Sequence, residues 1–157
     1  MLFDAIEELA HGLKQNGHVI TIETAGTIFR DLPCDLMSLS PKLANSTPMG
    51  KATEEWVRRH EETRLDLGPL RQLVEHYDYQ LKFVVNPEKD LEGQLREIDF
   101  TLGFLEAGGN KVLLMAEGTD SETLTRRERL LAPVCMKLGY RLSPRLHIHL
   151  YGNTRGT

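Results

Sequence analysis

Cysteine is scarce in this chain: its 157 residues hold only Cys34 and Cys135. The two lie far apart and lack the spacing of metal ligands, which excludes a cysteine metal module and makes both read as buried free thiols. Long hydrophobic runs are missing as well, so no segment reads as a membrane span. The first 17 residues lack the basic-then-apolar layout of a signal peptide, and the cytoplasm is the expected compartment. Nor is there an excess of positive charge. A formal net charge of -4 from 19 basic and 23 acidic residues gives no broad electrostatic grip on nucleic acid. Internal repeats and low-complexity tracts are also missing.

What remains is ordinary globular composition, 40% hydrophobic and 27% charged, at a length that suits one domain over residues 1–157. Leu2, Ile6, Leu9 and Leu13 fall on one helical face, with Gly17 placed to end that helix. Residues 19–23 and 34–39 read as strands. The charged segment 50–66 around Trp56 reads as a surface helix or an ordered loop. Leu70, Leu73, Val74 and Tyr77 mark a helix that leads into a strand at 80–85. Leu91, Leu95, Ile98, Leu102 and Leu105 step by four and three, an amphipathic helix closed by Gly108 and Gly109. A fourth strand follows at 111–115. Ser121 or Thr123 can cap a further helix that Pro133 should kink or divide, and residues 140–151 are rich enough in β-formers for a last strand.

Strands alternating with helices of this length predict an α/β fold with a mostly parallel sheet. Ligands of such folds bind at the carboxyl ends of the strands. Those ends read Glu23-Thr24-Ala25-Gly26-Thr27, Ser40-Pro41-Lys42, Asn86-Pro87, Glu117-Gly118-Thr119, and a tail with His147, His149 and Asn153. Each is polar or carries glycine, a pattern that points to a small-molecule site. Lys42 is either a solvated loop lysine or a directed cation, since Pro41 fixes the backbone before it. Glu23 is either a ligand contact or a cap for neighbouring amides, and Gly26 reads first as a turn glycine. On a strand His147 and His149 would share a face, a spacing that suits a metal but lacks a third ligand nearby.

The segments "TIETAGT", "SLSPKLANSTP", "YQLKFVV", "LLMAEG" and "GYRLSPRLHIHLYGNTRGT", in this order and at these intervals, resemble the carboxyl-terminal two-thirds of 7-carboxy-7-deazaguanine synthase. This is a radical S-adenosylmethionine family of queuosine and deazapurine biosynthesis. The resemblance implies a partial β/α barrel, a homodimer, and conversion of 6-carboxy-5,6,7,8-tetrahydropterin to 7-carboxy-7-deazaguanine with a 4Fe-4S cluster, S-adenosylmethionine and magnesium. It assigns Ser40, Pro41 and Lys42 to S-adenosylmethionine, with Met115, Ala116, Glu117 and Gly118. Glu23 and Thr24 are placed with them. His147 is assigned to the pterin, and Thr157 joins it through the family's use of its carboxyl terminus near the substrate. No nucleic acid or membrane partner is implied.

The sequence departs from the family pattern in one respect. The three close-spaced cysteines that hold the cluster, the Gly-Gly-Glu-Pro loop, and the early pterin and magnesium ligands have no counterpart in these residues. The expectation is a chain that begins inside the barrel, inactive alone, with an unpaired sheet edge. Two further readings stand beside this one: a non-catalytic S-adenosylmethionine- or partner-binding remnant, and a small metal hydrolase using His147 and His149.

Overall fold

The computed structural model describes residues 5–154. Two compact units divide the chain, one formed by Met1–Pro41 with Thr47–Leu81 and the other by Lys42–Ser46 with Lys82–Thr157. Five strands among the described residues belong to one parallel sheet in the order β1-β2-β3-β4-β5. The α/β class with a parallel sheet is as the alternation of elements predicts.

In the first unit, helix α1 (Ile6–Gln15) stops at Asn16, and Gly17 follows with φ of +78°. Only a residue without a Cβ adopts that conformation at little cost, which is why the helix ends there. Strands β1 (Thr21–Thr24) and β2 (Leu36–Leu39) pair in register, Thr21 with Leu36 through Thr24 with Leu39. Strand β3 (Tyr79–Val85) joins them by pairing Met37 with Tyr79 and Leu39 with Leu81. Period two then sorts the side chains. Ile22, Met37, Leu39 and Leu81 are buried on one face, and Leu70 and Leu73 of α3 (Gly68–His76) are buried with them. The charged segment forms a surface helix, α2 (Glu54–Leu65), capped by Thr53, with no buried residue and Trp56 exposed. Tyr77 fixes the long β1–β2 connection: its hydroxyl accepts from Leu32 N at 2.6 Å and donates to Arg30 O at 3.1 Å.

In the second unit, α4 (Leu91–Leu105) buries Gln94, Ile98, Thr101 and Leu105, so half of the buried stripe is polar. The apolar stepping located the helix and two of its buried side chains, Ile98 and Leu105, but not Gln94 and Thr101. The helix ends at Glu106, in the left-handed region, two residues before the expected glycine pair. Strand β4 (Val112–Ala116) buries Val112, Leu114 and Ala116 completely. Helix α5 (Ser121–Leu138) is capped by Asp120, whose carboxylate accepts from Thr123 N at 2.8 Å; the expected caps, Ser121 and Thr123, lie inside it. Pro133 does not divide the helix. It removes one donor, and the carbonyl left over belongs to an exposed turn.

The tail differs most from expectation. Strand β5 is only Arg141–Leu142, paired with Leu113 and Leu114, and the rest is helix α6 (Leu146–Tyr151). The cause is Pro144. Ser143 N still donates to Leu114 O at 2.8 Å, but the next residue has no N–H with which to continue the ladder.

Two glycines of the first unit should respond with opposite sign to alanine. Gly26 has φ of +77°, and a Cβ there would overlap Leu70 Cδ1 in the core. Gly26→Ala should therefore lose about 2 kcal/mol of stability through strain and overpacking. Gly12, inside α1 with nothing within 4 Å of an added Cβ, should gain about 0.5 kcal/mol. Urea midpoints at constant slope check both.

Candidate ligand-binding site

The first unit presents the carboxyl ends of β1 and β2 side by side. Ser40 N donates to Thr24 O at 2.8 Å, carrying the ladder one residue past β2, and Thr24 Oγ1 accepts from Gly26 N at 3.2 Å. Here the chain turns: Ser40 is half-buried, Pro41 is buried, and Glu23 is exposed. Glu23, Thr24 and Ser40 are thus neighbours, as reading the strand ends in turn suggests.

The same register exposes a feature that reading only the ends misses. Glu23 is in register with Ser38, and Ser38 with Gln80, so three polar side chains form a row across β1, β2 and β3 on the face opposite the apolar core. Ser38 is fully buried, and its hydroxyl accepts from Gln80 Nε2 at 3.1 Å. Parallel strands covered on both faces normally read as continuous apolar runs. A polar row on one face departs from that pattern. The signal was in the sequence, as the alternation of Met37-Ser38-Leu39-Ser40.

Lys42 opens the second unit. It is exposed, and its ammonium makes no hydrogen bond or ion pair among the described residues. The chain behind it is tightly held. Leu43 is buried, Ala44 N donates to the Glu97 carboxylate at 3.0 Å, and Asn45 Nδ2 donates to Val84 O and Gln94 Oε1 at 3.2 and 3.1 Å. Gln94, itself buried, accepts from Asn86 N at 2.8 Å and donates to Asn86 O at 3.0 Å. An unpaired cation on an anchored backbone can receive a carboxylate with little reorganisation.

The end of β4 is pinned by arginines. Glu117 N donates to Val85 O at 2.9 Å, Arg127 Nη1 donates to Glu117 O, and Arg145 Nη1 donates to Gly118 O at 2.6 Å. Gly118 lies so close to α5 that a Cβ would meet Leu124 Cδ2 at 2.9 Å, and Leu124 is fully buried. Ala116 is buried, Met115 and Gly118 are half-buried, and Glu117 is exposed. Arg126 and Arg127 both reach Glu88, at 2.7 and 2.9 Å, and these two guanidiniums hold its carboxyl down at about 2.

His147 and His149 are on helix α6, not on a strand. Two residues are 200° apart on a helix, so the shared face that would suit a metal does not exist. His147 is exposed. His149 turns to α5, where its ring meets Ser121 Oγ at 3.0 Å and the Glu128 carboxylate at 3.1 Å. Among the described residues no group of three or more His, Cys, Asp or Glu is arranged to hold a metal ion. Thr157 lies outside the described residues.

The cysteines bear on the cluster that the resemblance implies. Cys135 is buried in α5 and Cys34 half-buried before β2, and burial raises the pKa of both thiols. Two protonated thiols in different units do not supply three thiolates, so these residues do not fit a 4Fe-4S cluster. S-adenosylmethionine fits better: a carboxylate needs a cation, and a ribose needs hydroxyl and backbone partners. Lys42 and Ser40 offer the cation and the hydroxyl.

The chain is of the α/β class with a parallel sheet, a class whose ligands bind where strands end. Over its full length the chain is similar to the 7-carboxy-7-deazaguanine synthase of Halobacterium salinarum, with 42% identity covering 63% of that protein, and to that of Rhodopirellula baltica, with 37% identity covering 60%. It is therefore homologous throughout to the 7-carboxy-7-deazaguanine synthase family, and spans about three-fifths of the curated relatives it matches. No family model and no solved structure matches the chain. No helix among the described residues is long and apolar enough to cross a membrane.

The clamp around Glu88 has a pH signature. Its pKa in the folded chain, about 2, lies below the ordinary 4.5, so its stabilising contribution is complete above pH 4.5 and is lost as pH falls toward 2. A carboxyl-carbon NMR titration should find Glu88 at about 2, and Arg127→Ala should move it back up toward 4.5.

Proposed function

We propose that the chain is the S-adenosylmethionine- and pterin-binding part of a 7-carboxy-7-deazaguanine synthase. The observation that carries this reading is the similarity to two proteins of that name over the whole of the chain. The reaction converts 6-carboxy-5,6,7,8-tetrahydropterin to 7-carboxy-7-deazaguanine with loss of ammonia. When bound, S-adenosylmethionine supplies the group that abstracts hydrogen from the pterin.

The residues of this chain bind and orient. Lys42 pairs with the methionine carboxylate, and Ser40 offers its hydroxyl beside the rigid Pro41. Glu23 and Thr24 are assigned to the same ligand. The loop of Met115, Ala116, Glu117 and Gly118 receives S-adenosylmethionine along backbone edges whose shape Arg127 and Arg145 fix. His147 meets the polar edge or the carboxylate of the pterin, with Thr157 assigned to the same ligand. Magnesium and the cluster take part in the family reaction, but these residues do not fit the cluster, so the chain alone is proposed to bind its ligands without turning them over. Homodimer formation belongs to the same proposal.

Calorimetry tests the central contact. S-adenosylmethionine should bind the wild-type chain, and Lys42→Ala should weaken it about tenfold, the worth of one charge-assisted contact. Lys51→Ala, also at an exposed lysine, should change nothing. Absence of binding, or equal loss in both variants, would overturn the assignment.

A further inference from the structure

We propose that His149 is a positioning residue: held by Ser121 and Glu128 of α5, it fixes helix α6 so that His147 is presented to the pterin. This inference rests on the pterin role given to His147 above, and adds to it a residue that the role does not itself require.

Helix α6 has six residues, far fewer than an isolated helix needs to persist in water. Its orientation must therefore come from tethers. Ile148 is one, buried at 1% exposure, but an apolar plug fixes depth better than rotation. Arg145 is another, at the start of the helix, through Gly118 O. His149 supplies the third, directional tether. Ser121 and Glu128 are seven residues apart on α5, two turns, and so lie on one stripe. The imidazole spans that gap, Nδ1 to Ser121 Oγ at 3.0 Å and Nε2 to the Glu128 carboxylate at 3.1 and 3.2 Å.

The chemistry fixes the ring as well as its position. An ionised carboxylate only accepts, so Nε2 carries a proton, while the hydroxyl of Ser121 can donate to Nδ1 or accept from it. Both ring nitrogens are satisfied whether the ring is neutral or charged. His149 and Glu128 side chains are only 20% and 15% exposed, so water competes little. With His149 turned to α5, His147, 200° around the helix, is left on the outer side and exposed. A ligand contact on a rotationally fixed helix requires no ordering when the ligand arrives.

The test is a double-mutant cycle on the 157-residue chain, read as the Kd of 6-carboxypterin, the aromatic form of the substrate. His149→Phe and Glu128→Ala should each weaken binding about tenfold, yet add nothing on a His147→Ala background. Glu128→Gln, which keeps an oxygen acceptor for Nε2–H, should stay within about threefold of wild type. S-adenosylmethionine affinity and melting temperature report whether each variant is folded; should His149→Phe fail to fold, the Glu128 variants complete the same cycle. Additive losses, or no loss from either His149 or Glu128, would overturn the positioning role while leaving His147 in place. If the wild type does not bind, or His147→Ala binds as tightly as wild type, the pterin reading fails and this inference falls with it.

Discussion

A buried amide on α4 governs the loops of the second unit. Gln94 has nowhere to find water, so its oxygen and its two hydrogens must all be matched inside the protein. Its oxygen accepts from Asn86 N and Asn45 Nδ2, and its NH2 group donates to the carbonyls of Asn86, Lys89 and Asp90. One side chain thus closes the turn after β3 and holds the segment that follows Lys42. Removing it would leave several buried polar groups unmatched, each worth about 1–3 kcal/mol, and would free the backbone that aims Lys42.

The loop after β4 is organised on the same principle with charge in place of an amide. Sheet pairing ends at Glu117 N, and two guanidiniums then take the carbonyls of Glu117 and Gly118. Arg127 is held by Glu88, and Arg145 leads directly into α6. Arg145 thus ties the loop after β4 to helix α6. Loop backbone is held here by long cationic residues, which can satisfy carbonyls that no strand or helix reaches.

How much of this is legible in the sequence depends on how local the cause is. The helix from Leu91 and the strand through Phe83 follow from spacing alone, and the Gly17 stop follows from the backbone that only glycine adopts easily. The tail has the composition of a strand, but Pro144 lacks the N–H that would continue the ladder, so β5 ends after two residues. Ser121 looked like a cap because its type suits one, but Asp120 stands one residue earlier and takes the role. Among site residues, the strand ends were legible as places. Gln94 was not, because a polar residue at an inward position reads as surface, and the row of Glu23, Ser38 and Gln80 showed only as an alternation within β2 until the register joined the three strands. The pterin contact proposed for His147 rests on family resemblance, while its setting on a helix is visible only in the fold.

Amide chemical-shift mapping of the isotope-labelled chain with S-adenosylmethionine addresses the assignment of the strand ends most directly. The amides of Glu23, Thr24, Ser40, Lys42 and residues 115–118 should shift together along one binding isotherm, with α1 and α2 unmoved. Shifts confined to α1 or α2, or none at saturating ligand, would contradict the proposal that these strand ends hold S-adenosylmethionine.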